Sequence, residues 1–376
     1  CQAAARSGQL EELKVLRADG WPWDQEACSA AALGKHLEVL QWARANGCPW
    51  DIRTCDNAAG GGHLKVLLWA RKNGRPCDEN ELHVAVLNGQ VAMVRALIEL
   101  RAHVNKAAGV DGVAPLCVAA DRGHDAIVRT LIEFGADVNK ARDDGATPLY
   151  SAAQQGHEAV VRALVEASAD VKKPWENGTT PLYAAAHQGH EMVVRALIEL
   201  GADINQARDD GTTPLCVAAH QGHEMVVRAL IELGADINQA RDDGTTPLCV
   251  AAHQGHEMVV RALIELGADV NKTVDEGGTP LFIAAYQGNE AMVRALIEAG
   301  ADINKALLDG GETPLFIAAH QGHEAAVRAL IELGADVSKA ENNGVTPLSV
   351  AAQEGHTAIV QILRDAVLVQ MRHLSL

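Results

Sequence analysis

Four copies of a His-Gln-Gly-His motif are the most chemically suggestive residues of this 376-residue chain: His187/His190, His220/His223, His253/His256 and His320/His323. Two imidazoles on one helix face could bind a metal or pass a proton. The glycine between them breaks the helix, so the two rings of each motif start from different helices. The second ring falls at a turn and reads as structural. The first falls on an inner helix face, where Asp121, Gln154, Tyr286 and Gln353 take its place in other copies. Exchange with Asp, Gln and Tyr fits contact with a partner better than catalysis. A row of surface histidines with no task is the plainer alternative.

The eight cysteines follow the same logic. Cys1, Cys28 and Cys55 hold one recurring position, which Leu82 also fills; Cys117, Cys216 and Cys249 hold another, shared with Tyr, Phe and Ser. A position open to apolar residues belongs to a small half-buried side chain, not to a metal ligand. Cys48 and Cys77 fall in loops without CxxC or HxxxC spacing. No metal and no cofactor is expected, and unpaired thiols suit a reducing, cytoplasmic setting. There is no nucleophile elbow, P-loop or dinucleotide motif, so no enzyme activity is expected. Nor is there an 18-residue apolar run or a signal sequence.

Net charge is −17, and it is lopsided: residues 1–81 hold ten basic against eleven acidic side chains, so residues 82–376 carry nearly all of it. Such a surface is a poor match for nucleic acid and for anionic membranes, and a better one for a basic protein segment. The plainer alternative is that acidic surfaces keep such chains soluble.

The elements that must position these residues are written in a period. Pro115, Pro148, Pro181, Pro214, Pro247, Pro280, Pro314 and Pro347, each followed by leucine, are 33 residues apart, with a single step of 34. A period of this size marks a solenoid of stacked helical units. In the unit 241–273, Thr246 caps a helix that opens on Pro247, and Gly255 ends it. A second helix carries Val259, Val260, Leu263 and Ile264 on one side, and Gly267 closes it. The stretch 268–278, rich in Asp, Asn and Gly, predicts a hairpin-like finger. Helices this short do not persist alone in water, so each unit must bury its apolar faces on its neighbours.

These residues resemble the ankyrin repeat: Thr-Pro-Leu, Ala-Ala, Gly-His, a Val-Val/Leu-Ile helix and Gly-Ala-Asp-Val/Ile-Asn, in eight units over 114–365. One departure is consistent. Where the family has His after Thr-Pro-Leu, this chain has Cys117, Tyr150, Tyr183, Cys216, Cys249, Phe282, Phe316 and Ser349, and apolar packing is expected there instead. Residues 1–81 run on a 27-residue period, with loops Trp21-Pro22-Trp23-Asp24 and Cys48-Pro49-Trp50-Asp51, and look like a short-finger variant. Residues 82–114 form a transitional unit ending in the first finger at Asp111-Gly112, and residues 115–365 carry the full repeats. A C-terminal helix is expected from Thr357 to Leu376, with 366–376 as a tail that caps the stack or remains from a further unit. The expected fold is an all-α, ankyrin-type solenoid of about twelve helix pairs with short hairpin fingers. At roughly 9–10 Å per packed helix it would be curved, elongated and on the order of 110 Å long.

The resemblance implies a monomeric, non-catalytic scaffold or adaptor that binds a protein partner on its concave face. Its contact positions map to Arg142, Asp143, Asp144 and Ala146 in one finger, and to Arg208, Asp209, Asp210, Arg241, Asp242 and Asp243 in two more. On the inner helices they map to Asp121/Arg122, Gln154/Gln155, His187/Gln188, His220/Gln221, His253/Gln254, Tyr286/Gln287 and His320/Gln321. Residues 201–233 and 234–266 are identical, contact positions included, which implies a repetitive ligand or recent duplication. Two other readings remain open. The array could be the targeting arm of a kinase or ubiquitin ligase whose catalytic part lies outside it, or an elastic spacer with no partner. Because the chain opens on Cys1 inside a repeat, a longer parent product is expected.

Overall fold

Each repeat is a pair of antiparallel helices whose ends are written in the residues that bound them. Thr147, Thr180, Thr213, Thr246, Thr279, Thr313 and Thr346 hold extended backbone, and each hydroxyl accepts the amide three residues on, as from Cys249 to Thr246 at 3.2 Å. Proline follows at the first helical position, where no amide donor is needed. In the computed structural model, residues 1–74, 80–107, 112–275 and 277–374 are described, with side chains through residue 370. The expected Asp111 finger residue, Pro76, Cys77 and the last two residues of the C-terminal helix lie outside them. The regular elements among the described residues are α-helices, apart from one 3₁₀ turn at Glu176–Gly178.

The chain forms two compact units, Cys1–Glu176 and Asn177–Leu376. In the first, the helix pairs are Gln2–Ser7 with Leu10–Ala18, Gln25–Leu33 with Leu37–Ala45, Ile52–Gly60 with Leu64–Lys72, Asn80–Leu87 with Val91–Glu99, Pro115–Asp121 with Asp125–Glu133, and Pro148–Gln155 with Glu158–Glu166. In the second they are Pro181–Gln188 with Glu191–Glu199, Pro214–Gln221 with Glu224–Glu232, Pro247–Gln254 with Glu257–Glu265, Pro280–Gln287 with Glu290–Glu298, Pro314–Gln321 with Glu324–Glu332, and Pro347–Gln353 with Thr357–Leu374. Within each unit the first helices stack closely on one another and the second helices form an outer row. The paired alanines make this possible: Ala218/Ala219 and Ala251/Ala252 are fully buried, and no larger side chain holds the helices apart.

The loops between pairs are tied by a ladder of asparagines. Asn205, Asn238, Asn271 and Asn304 accept the amides of Asp236, Asp269, Asp302 and Asp336 at 2.7–3.0 Å, and Asn105 and Asn139 do the same for Asp137 and Asp170 in the first unit. Every rung joins consecutive repeats.

The position expected to rest on apolar packing keeps a polar role. The thiols of Cys117, Cys216 and Cys249 face the carbonyls of Lys140, Gln239 and Lys272 at 3.4, 3.8 and 3.9 Å. A small weak donor keeps a contact to the finger that an alkyl group would lose.

In the 27-residue units an aromatic clamp replaces the finger. Trp23 meets Trp42 edge-on at 5.7 Å with Arg17 stacked above it, and Trp50, Trp69 and Arg44 repeat the arrangement. The aspartate that follows each tryptophan, Asp24 or Asp51, caps the next inner helix. The helix Thr357–Leu374 is twice the usual length. Its first half seats Ile359 and Leu363 in the core, whereas Leu368 and Val369 are exposed. Among the described residues, no helix is long and apolar enough to cross a membrane.

Candidate partner-binding surface

The two histidines of each motif have separate tasks. The second bonds back to the preceding repeat: His223 Nε2 reaches the His187 carbonyl at 3.0 Å, His256 that of His220 at 2.9 Å, and His323 that of Tyr286 at 2.9 Å. A carbonyl only accepts, so these rings carry the proton on Nε2. The motif glycine serves the same contact. Gly222 holds φ +78, and a Cβ there would lie 2.9 Å from the His256 ring of the next repeat. One residue thus meets a left-handed turn and a close approach together.

The first histidine stays on the accessible face. His220 and His253 are exposed, and His187 and His320 are half-exposed. His187 and His220 are linked to the next repeat rather than standing alone. Gln221 Nε2 lies 3.2 Å from His187 Nε2, and Gln254 Nε2 lies 3.3 Å from His220 Nε2. In the first unit Gln155 reaches Asp121 at 3.4 Å, in the same register. Burial pushes the His187 ring below its ordinary range, and positive charge at His223, His220 and Arg208 pushes it further. Gln188, Tyr286, Gln287 and Gln321 are exposed, and Gln154 is half-buried.

The fingers divide in a similar way. In the sequence Arg208-Asp209-Asp210-Gly211-Thr212, the Arg208 amide donates to the Thr212 carbonyl and Gly211 donates back to Arg208, both at 3.0 Å. Asp210 then accepts the Thr212 amide at 3.0 Å, as Asp144 accepts that of Ala146 and Asp243 that of Thr245. The second aspartate of each pair is therefore a cap inside the turn as well as a surface charge. The Thr245 interaction holds the Asp243 carboxyl below its usual range. Ala146, expected as a contact, is buried at the base of its finger because its amide and carbonyl both close the turn. Asp143, Asp209 and Asp242 are exposed, as are Asp144, Asp210 and Asp243 beside them, and Arg142 pairs with Asp144 at 3.2 Å.

Between finger and inner helix, the second unit holds a cleft of about 230 Å³ that includes Tyr183, His187, Arg208, Asp210, His220 and Arg241. Arg208 donates to the Tyr183 hydroxyl at 3.1 Å and its guanidinium lies 5.3 Å from the centre of that ring. Tyr183, expected to pack as an apolar substitute, also accepts this bond, and its phenol, a polar handle on a buried ring, is the sequence signal for that role. Leu308 also went unremarked in the sequence. It is 68% exposed at a finger tip where other repeats carry aspartate.

Successive first histidines come from different repeats, and no group of three His, Cys, Asp or Glu among the described residues could hold a metal ion. No disulfide joins the seven described cysteines, and burial pushes the Cys117 thiol up to about 12 and the Cys216 thiol up to about 11, far from a reactive thiolate.

Comparison with known proteins follows this geometry. A family profile described as ankyrin repeats (3 copies) matches residues 82–175, 167–241, 233–306 and 303–370. No curated protein matches the chain. Among solved structures, the crystal structure of the human ASB11 ankyrin repeat domain aligns with a TM-score of 0.54 and 29% sequence identity, covering 60% of this chain and 99% of that one. With the helix pairs, the Thr-Pro caps and the profile all repeating over residues 82–370, the chain belongs to the ankyrin repeat family.

Proposed function

We propose that this chain is a monomeric, non-catalytic scaffold or adaptor that grips a protein partner along its fingers and inner helices. Ankyrin repeats are in general protein–protein interaction modules. The observation that carries the reading here is a division of labour repeated in successive units. On the inner helices Pro181–Gln188, Pro214–Gln221, Pro247–Gln254, Pro280–Gln287 and Pro314–Gln321, almost every residue before the last two is buried, while the last two are accessible. Those two are His-Gln in four helices and Tyr-Gln in one. Described cysteines that form no disulfide fit a cytoplasmic setting.

The exposed aspartates Asp143, Asp209 and Asp242 favour a partner with basic residues against the finger edge. The full chain, used as bait in a cytosolic extract, should capture such a partner. Asp143→Asn, Asp209→Asn and Asp242→Asn combined should slow its association more than they speed its release. Raising salt from about 50 to about 500 mM should do the same to the wild type, because exposed charges are screened within about 8 Å at physiological ionic strength. Asp144, Asp210 and Asp243 are left in place because they cap the turns. Association indifferent to both salt and substitution would remove the acidic finger edge from the binding surface, and a bait that captures no partner would count against the scaffold reading itself.

A further inference from the structure

One inner helix of the second unit is uncovered where its neighbours are closed. The two positions after Pro-Leu are buried at Tyr183 and Ala184, Cys216 and Val217, Cys249 and Val250, and Phe316 and Ile317. At Phe282 and Ile283 they are only half-buried. The same helix, Pro280–Gln287, carries Tyr286, 46% exposed, where four other inner helices have histidine. Residues three and four apart share a helix face, so Phe282, Ile283 and Tyr286 form one accessible apolar strip.

The fingers beside this strip have exchanged arginine for aliphatic side chains. Arg208 and Arg241 hold the first finger position in the two preceding repeats, and Val274 and Leu307 hold it here. Arg208, 25 residues after Tyr183, bonds to that phenol; Leu307 has the same register to Phe282. The contact between fingers changes with it. A Cβ on Gly211 or Gly244 would meet the carboxylate of Asp242 or Asp275, whereas a Cβ on Gly277 would meet the Leu308 side chain. A Cβ on Gly278 would lie 3.2 Å from Val274 and 3.9 Å from Leu307, so those two side chains close on one point between the fingers. Leu308 is exposed above them.

The rim of this patch is acidic. Segments 272–278 and 305–312 hold four carboxylates against two lysines, and the next finger, 339–345, is neutral, with Lys339 against Glu341. Lys272 and Lys339 turn back from the tips to the carbonyls of Asn238 and Asn304, at 2.7 and 2.8 Å. Lys305 stands at the base of its finger, two residues before Leu307. His320, on the next inner helix, faces Glu354 at 3.9 Å. Asp275 and Asp309 are exposed, Asp309 directly after Leu308. Apolar surface here favours burial, and its anionic rim favours cations beside whatever is buried.

We propose that this patch anchors one phenylalanine or leucine side chain of the bound partner, flanked on both sides by lysine or arginine. The inference rests on the finger and inner-helix surface proposed above and specifies one of its subsites. An acidic or polar anchor would meet carboxylates and leave the apolar strip in water. A basic segment without an apolar residue would match the rim alone. The identical segments 201–233 and 234–266 have arginine-aspartate fingers and end their inner helices on His-Gln, so neither offers a second such anchor point. A single apolar anchor gives a partner one register on an otherwise repetitive array.

The test uses the full chain with labelled methyl groups and aromatic rings. The probes are the blocked peptide Gly-Lys-Lys-Phe-Lys-Lys-Gly, the same peptide with alanine for phenylalanine, and the same peptide with glutamate for every lysine. The phenylalanine peptide is expected to shift the Ile283 and Leu308 methyl and Tyr286 ring signals saturably. The alanine peptide should bind about tenfold more weakly, the scale of burying much of one large apolar side chain, and the glutamate peptide should leave those signals unmoved. Leu308→Asp with Tyr286→His places at each position the residue that neighbouring repeats carry, and should abolish the preference for phenylalanine. Leu368→Asp, exposed on the C-terminal helix, should change nothing. Equal response to phenylalanine and alanine, saturable binding of the glutamate peptide, or a preference that survives the double substitution would each overturn the anchor. Self-association of the full chain that Leu308→Asp abolishes would give the patch to a second copy and overturn it as well. If a captured partner binds the Leu308→Asp, Tyr286→His chain normally but is lost when Asp143→Asn, Asp209→Asn and Asp242→Asn are combined, the anchor fails while the broader interaction surface stands.

Discussion

Arg101 and Ser168 hold φ +70, the left-handed region that Gly135, Gly201, Gly234 and Gly267 occupy at the same point of other repeats. A side chain there costs about 1 kcal/mol relative to glycine. Arg101→Gly and Ser168→Gly should each raise the denaturation midpoint, and a chemical denaturation series reads this directly. A lower midpoint in both would mean that the side chains contribute more than the backbone loses. His83 is a second residue-scale case. Burial pushes its ring below the ordinary range, and its Nδ1 is shielded without a partner. The sign follows: a depressed histidine means the unfolded chain binds the extra proton more readily, so stability is full above about pH 6.5 and falls as pH drops through that value toward the folded one. His83→Gln should flatten the loss between about pH 7 and about pH 5, and titration of the ring by NMR should give a midpoint below 6.5. A midpoint at or above it contradicts the burial.

At the scale of the element, the turn between inner and outer helix is a device shared by two repeats. Gly222 needs its left-handed backbone and also the space that the His256 ring fills, whereas Gly234, at φ +98, has nothing within 4 Å of where a Cβ would stand. Gly234→Ala should therefore cost only the backbone strain, about 1 kcal/mol. Gly222→Ala should cost about 1–2 kcal/mol more, because it displaces His256 from the His220 carbonyl. Equal losses in equilibrium unfolding would show that His256 gives way freely. The loop in the 27-residue units makes the complementary point. Its Pro-Trp-Asp pattern identified a connection, but not that Asp24 and Asp51 would cap the next helix or that Trp23 and Trp50 would fold back on Trp42 and Trp69 to cover what a finger covers elsewhere.

For the whole molecule, stability is a sum of repeats and of the interfaces between them. Interfaces between near-consensus repeats carry the most complete set of ties: the asparagine rung, the histidine-to-carbonyl bond, and an outer-row ion pair such as Arg195 with Glu232 or Arg228 with Glu265. The C-terminal helix has fewer, and its second half leaves Leu368 and Val369 exposed. Hydrogen exchange should show the greatest protection across residues 181–266, with exchange rising toward residues 357–374. Uniform protection through residues 177–374 would contradict a nearest-neighbour account.

Repeat length, helix ends, the alanine seam and the separate origins of the two motif histidines were all legible in the sequence, because each rests on local chemistry that recurs every 33 residues. A threonine caps, a proline starts and a glycine ends a helix whatever lies beyond it. Three things depended on neighbours and were decided only by the tertiary structure. The thiols of Cys117, Cys216 and Cys249 found finger carbonyls more than twenty residues away. Arg195 and Arg228 of the outer row found Glu232 and Glu265 of the next repeat. Tyr183, Arg208 and Arg241, a full repeat or nearly so apart in the chain, met in one cleft. A periodic sequence states what each unit is, but a site made where unlike units meet is set by their stacking, and no single repeat contains it.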